Sequence, residues 1–233
     1  MISPVFTSPI ASPARFDCIT FDWDGTLFDS TAIITRCIQE AVREVGGTVP
    51  SDTQASYVIG LGLMQALAHA APDVPKEKYP ALGDAYRRQW ALHVDDISFF
   101  PGTLPMLHDL QQRGYKLAVA TGKSRKGLDE VLQRQLDGIQ LSALFDASRT
   151  ADQTAGKPDP LMLHELMEEL DVKPERMLMI GDTTHDLLLA RNAGVASVGV
   201  SFGAHAHSAF AEFEPLTIAH SMRELHDWLI ANA

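Results

Sequence analysis

The sequence predicts an α/β protein: a doubly wound parallel sheet with an α-helical segment inserted after its first strand. Three observations carry this. Short apolar runs alternate with amphipathic helical stretches, the pattern of strand–helix–strand units. The middle runs are apolar at nearly every position, as strands buried on both faces are. From Ser30 to about Ile97 the alternation stops, and only helical patterns remain.

The elements follow in order. Phe16 to Asp22 reads as the first strand and runs into an Asp24-Gly25 turn. In the insertion, Ile33, Ile34, Cys37, Ile38, Ala41, Val42 and Val45 recur at helical spacing up to Gly46-Gly47. Ser51 and Gln54 have the spacing of a capping box. Tyr79, Leu82, Tyr86 and Trp90 form a second stripe, read as helix packing. Thr103 to Arg113 is a helix stopped by Gly114, and Tyr115 to Thr121 is the second strand. Ser124 caps a helix carrying Leu128, Val131 and Leu132. Leu144 to Ala147 is expected as a strand. Asp159 is expected to cap a helix with Pro160 in its first turn and Leu163, Leu166, Met167 and Leu170 on one face. Met177 to Gly181 and Val195 to Val200 are the last strands, with a helix between them that opens at Thr183 or Thr184.

Composition narrows the function classes. The chain has 233 residues, 45% apolar and 21% charged, enough for a sizeable core without crosslinks. Its net charge is −11. That excludes a general nucleic-acid binder and disfavours an anionic membrane surface, both of which need a basic patch. No run of 18 apolar residues exists to span a membrane. Two cysteines, Cys18 and Cys37, point to a reducing cytoplasm rather than a disulfide framework. Residues 1–15 hold three prolines and lack a basic start and an apolar centre, so they read as a loosely ordered arm and not a secretory signal.

The chemistry concentrates at predicted strand ends. Asp22-Trp23-Asp24-Gly25-Thr26 closes the first strand. Ligands of open parallel sheets bind at the carboxyl ends of strands. The two carboxylates converge if the chain turns between them, as Gly25 permits. Thr121 ends the second strand. The Gly122-Lys123-Ser124 that follows is not a nucleotide-binding P-loop, because Leu117 stands where that loop needs glycine. Lys157 precedes the helix started by Pro160. Gly181-Asp182-Thr183-Thr184-His185-Asp186 spans a strand-to-helix junction, where two acids can face one cation.

With these motifs in this order, the chain resembles the haloacid dehalogenase superfamily of aspartate-nucleophile phosphotransferases, from about Phe16 to Gly203. The resemblance implies a Rossmann-like core at 16–29 and 98–233 and a small helical cap domain at 30–97. It implies that Asp22 attacks phosphorus and that Asp24 protonates the leaving alcohol and then activates water. Thr121 and Gly122 would hold phosphoryl oxygens, and Lys157 would offset anion repulsion. Asp22, Asp182 and the Asp24 carbonyl would bind Mg²⁺, with Asp186 orienting the site from behind. Their oxygen donors suit Mg²⁺ better than zinc.

Asp24 favours phosphoryl chemistry over dehalogenation. The departure at Trp23 is read as packing between sheet and helix. Gly60-Leu61-Gly62 and Phe99-Phe100-Pro101-Gly102 match a cap turn and a return hinge. The arrangement is most similar to phosphoglycolate phosphatases. A small phosphorylated metabolite is therefore the expected partner, in the cytoplasm, with oligomeric state open. A phosphoglucomutase-type transfer, pyrophosphate hydrolysis and a receiver-like phospho-acceptor remain alternatives. Arg36, Arg43, Arg87 and Arg88 are candidates to meet a substrate carboxylate, weighed against ordinary solvated helix charges.

Overall fold

The structure is a computed structural model describing residues 15–136 and 138–233. The expected N-terminal arm lies outside the described residues apart from Arg15. β1 (Cys18–Phe21) opens the chain, followed by four helices: α1 (Thr31–Val45), α2 (Asp52–Tyr57), α3 (Leu63–Ala70) and α4 (Tyr79–His93). Then come α5 (Thr103–Gln112), β2 (Lys116–Thr121), α6 (Arg125–Leu132), the short strands β3 (Gln135–Leu136) and β4 (Ile139–Gln140), β5 (Ala147–Thr150) and α7 (Leu161–Leu170). β6 (Met177–Gly181), α8 (Thr184–Asn192), β7 (Ala196–Val200), β8 (Ile218–Ala219) and α9 (Met222–Asn232) complete it. No helix among the described residues is long and apolar enough to cross a membrane.

Six strands form one parallel sheet in the order β5-β2-β1-β6-β7-β8. Its two faces bury alternate residues, as the pleat requires. Ile19, Phe21, Leu117, Val119, Leu178 and Ile180 pack with α5, α6 and α9. Cys18, Ala118, Ala120, Met177 and Met179 pack with α7 and α8. The strands read as continuous apolar runs because both faces are covered. The insertion has its own core, built by Ile34, Ile38 and Val42 of α1, Leu67 of α3 and Leu82 of α4.

Several local expectations shift. The strand expected at Leu144 to Ala147 begins only at Ala147, because Leu141–Leu144 form a 3₁₀ turn that buries both leucines on the α5/α6 side. The helix expected to be capped by Asp159 starts at Leu161. Asp159 still accepts from the Leu161 N–H at 3.0 Å, but Pro160 is the residue at the boundary. Trp23 does not pack between sheet and helix alone. It stacks on Phe28 at 4.9 Å and lies near Phe99, so it fills the crossing of the two segments that join core and insertion. The sequence reading missed β3, β4, β8 and α9.

Candidate active site

The sheet order sets β1 between β2 and β6, so their carboxyl ends are neighbours. Asp22, Thr121 and Asp182 meet there from three distant stretches of sequence. The Asp22 N–H donates to the Ile180 carbonyl at 2.9 Å, which continues the ladder one residue past the strand.

Lys157, fully buried, joins the acids. Its Nζ donates to Asp22 Oδ1 and to Asp186 Oδ1, each at 2.6 Å. Burial alone would lower the ammonium's pKa, but Asp186 and Asp22 outweigh it and raise the pKa above its ordinary value. The other oxygen of Asp186 accepts from the Thr183 N–H at 3.0 Å and the Thr183 hydroxyl at 2.7 Å. Thr183 rather than Thr184 therefore caps α8, in a reciprocal capping box with Asp186.

Asp182 is held as firmly. Its Oδ1 accepts from the Thr26 hydroxyl at 2.8 Å and its Oδ2 from the Ala204 N–H at 2.7 Å. The chain crosses this carboxylate at Gly203, where a Cβ would stand 2.2 Å from Asp182 Oδ2. Gly25, at φ +86°, presses on the same oxygen.

Asp22, Asp182 and Asp186 each offer a carboxylate oxygen within 4.8 Å of the others, all buried. Three carboxylates face one ammonium, and Asp22 Oδ2 is a buried atom with no hydrogen-bond partner. Burial pushes the Asp22 carboxyl up to about 7, with Asp186 adding to the rise against the opposing pull of Lys157. Burial, then Asp22 and Asp186, raise Asp182 well above the carboxylate range. Such a group is short of positive charge, and an all-oxygen donor set fits a hard divalent cation.

The Asp24 carboxylate stands outside this cluster. It accepts from the Ser30 hydroxyl at 2.7 Å and pairs with Lys123 Nζ at 3.0 Å. That ammonium also lies over the Trp90 ring of the insertion, 4.3 Å from its centroid. Sequence reasoning missed both partners. In the sequence, Ser30 marks only the start of the insertion and Lys123 only part of a stretch that fails as a P-loop. The available signal for Lys123 was its place two residues beyond a strand-end threonine.

The insertion covers the site. A Cβ at Gly122 would come within 2.5 Å of the Gly60 and Leu61 carbonyls, so the two backbones touch there. The arginines of the insertion are not brought in. Arg43 pairs with Glu40, Arg87 with Asp84 and Arg88 with Glu44 on the exposed surface, and Arg36 is exposed.

A profile of the haloacid dehalogenase-like hydrolase family matches residues 19–200. A phosphoglycolate phosphatase of Vibrio vulnificus is 32% identical, the alignment covering 92% of this chain and 96% of that protein. A tyrosine-protein kinase, PtkA of Mycobacterium tuberculosis, is also 32% identical, over 84% of this chain and 65% of its own. Among solved structures, a haloacid dehalogenase-like family hydrolase from Streptococcus pneumoniae superposes with a TM-score of 0.76 at 22% identity, covering 92% of this chain and 98% of that one.

Proposed function

The chain belongs to the haloacid dehalogenase-like hydrolase family, and from that premise we propose that it is a phosphatase. Its substrate would be a small phosphate monoester, phosphoglycolate or a close chemical relative, hydrolysed through a phosphorylated Asp22. The observation that carries this reading is the pairing of Asp22 with buried Lys157 on one oxygen while its other oxygen has no partner. A carboxylate held by one oxygen and free at the other is placed to act as a nucleophile.

The unpartnered oxygen forms a bond to phosphorus as the bond to the leaving oxygen breaks. Asp24, entering this half as the carboxylic acid rather than as the carboxylate that pairs with Lys123, would give that oxygen its proton. In the second half, water adds to phosphorus, Asp24 takes its proton, and phosphate leaves with the Asp22 carboxylate restored. Thr121 and the Gly122 N–H would hold phosphoryl oxygens in both halves. Lys157 offsets the repulsion between carboxylate and phosphate dianion, where two unit charges 4 Å apart cost about 4 kcal/mol at an effective dielectric near 20. A Mg²⁺ held by Asp22, Asp182 and the Asp24 carbonyl, with Asp186 beside it, would neutralise charge on the transferring group. The Gly60 and Leu61 carbonyls stand against Gly122, and a backbone this close over the site supports a small leaving group. The V. vulnificus relative supports phosphoglycolate among small esters.

The test is turnover of an aryl phosphate and of a panel of phosphorylated metabolites, with Mg²⁺ and with EDTA. Wild type turns over only with the metal, and Asp22→Asn and Asp24→Asn lose activity by about three orders of magnitude or more. Full activity in Asp22→Asn would overturn the nucleophile assignment. Phosphate recovered on an added sugar or on a protein tyrosine, rather than free in solution, would make the enzyme a phosphotransferase instead.

A further inference from the structure

We propose that His205 is a positioning residue that locks the closed cap domain onto the loop carrying the Asp182 contacts. The proposal rests on the phosphatase reading in one respect, that closure of the cap precedes turnover.

His205 follows β7 and is 7% exposed. All its polar contacts go to the acidic site or to the cap. Its backbone N–H donates to the Asp182 carbonyl at 3.3 Å. Its Nδ1 lies 3.1 Å from the Thr184 N–H, at the first turn of α8. A backbone N–H can only donate, so Nδ1 accepts and the ring proton sits on Nε2. Nε2–H then meets the Tyr57 carbonyl of the cap at 2.9 Å. His185 Nε2, from α8, reaches the same oxygen at 3.0 Å. Two core histidines thus take up the two lone pairs of one cap carbonyl.

Apolar contact reinforces the lock. The Tyr57 ring, 56% exposed, lies flat on the His205 imidazole with centroids 4.8 Å apart and planes 3° from parallel. Ala204, whose N–H holds Asp182, packs against the cap's own core. The segments that grip the cap are therefore those that fix the carboxylates: residues 203–205 for Asp182 and the first turn of α8 for Asp186. When the cap opens, both histidine Nε2 groups lose their shared acceptor, and the 203–205 loop loses its outer support. Closure of the cap and rigidity of Asp182 become one event.

Two substitutions separate the bonds. The Asn amide oxygen falls where Nδ1 stands, so His205→Asn keeps the Thr184 contact and loses Tyr57. The Gln amide nitrogen falls where Nε2 stands, so His205→Gln keeps Tyr57. Each full-length variant is assayed for KM and kcat with a small phosphate ester, for amide hydrogen exchange across residues 57–62, and for Tm. His205→Asn is expected to raise KM about five- to tenfold, the effect of one lost hydrogen bond. It is also expected to speed exchange across 57–62 by a similar factor, with Tm within about 2 °C of wild type. His205→Gln, which keeps the Tyr57 hydrogen bond but loses the ring stack and the Thr184 contact, is expected to show less than about half the effect of His205→Asn in both measures. Wild-type exchange and KM in His205→Asn would overturn the proposal. Equal impairment of the two variants would also overturn it, by reducing His205 to a structural role. If the wild type turns over no phosphate ester, the phosphatase reading fails, while the exchange rates still decide whether His205 holds the cap.

Discussion

Lys157 shows how a single side chain sets the state of its neighbours. Its ammonium is buried between Asp22 and Asp186, and neither carboxylate has another cation among the described residues within salt-bridge distance. Lys157→Met removes the charge but keeps the stem. It leaves two buried carboxylates uncompensated, a change that typically costs 3–5 kcal/mol. The expected outcome is a midpoint shift of that order in urea with EDTA present, together with near-complete loss of phosphate release. Lys157→Arg restores neither, because a planar guanidinium does not fit a fully buried site shaped for a point charge. A Lys157→Met protein as stable as wild type would disprove the charge balance described here. At this scale the sequence is legible where chemistry fixes residue type at a strand end or just before a helix, as at Asp22, Asp182 and Lys157, which the structure brings together. It is not legible for Ser30, Lys123 and His205. Ser30 and Lys123 reach Asp24 from a loop and from a second strand end, and His205 meets Tyr57 of the insertion, and no local pattern encodes those contacts.

The elements were legible where periodicity and capping agree. Ser51 and Gln54 form the capping box their spacing implies, and the α1 stripe ends at Gly46 in the left-handed conformation. Failures have local causes. Leu144 is apolar because a turn buries it, not because it lies in a strand. β8 is two residues long and carries no period. α9 was missed despite Ser221 and Glu224, where the Ser221 hydroxyl accepts from the Glu224 N–H at 3.1 Å. The α8 capping box makes a prediction at this scale. The Thr183 hydroxyl both caps the helix and donates to Asp186. Thr183→Ala should cost about 1 kcal/mol of stability. It should also weaken divalent-cation affinity, because Asp186 loses one of the three bonds that aim it. Thr183→Ser should recover both. Calorimetric titration of each variant with Mg²⁺ checks this, and an Ala variant with unchanged affinity would show that Asp186 is held without the hydroxyl.

The whole chain carries a net charge of −11, and most of that charge serves only solubility. The buried acids are the part with a structural consequence. Asp22 is pushed up to about 7 by burial, and Asp182 is raised with it. In the unfolded chain both would titrate near 3.9. Between those values the folded protein keeps protons that the unfolded chain has released, so stability falls as pH rises from about 4 to about 7. Surface acids act the other way but finish earlier. Asp17, bonded to Arg176, and Asp109, bonded to His226, are lowered, so their contribution is complete above about pH 5. From pH 5 to 7 the site acids are opposed by His185 and His205, whose pKa values burial lowers and whose contribution to stability rises with pH, so the share of Asp22 is read as the difference between wild type and Asp22→Asn. In EDTA, the Tm of Asp22→Asn should rise relative to that of wild type as pH goes from 5 to 7, because the variant lacks the raised carboxyl. A divalent cation binds the ionised, folded site alone. At 100 times its dissociation constant it adds about 2.7 kcal/mol, or about 5–10 °C for a chain of this size. The Mg²⁺-induced gain should therefore grow from pH 5 to 7, as more of the site is ionised. Thermal melts with and without Mg²⁺ across that range test this. A gain independent of pH, or an Asp22→Asn variant whose Tm in EDTA tracks wild type across the range, would mean that the three carboxylates are neutralised by something other than a bound cation.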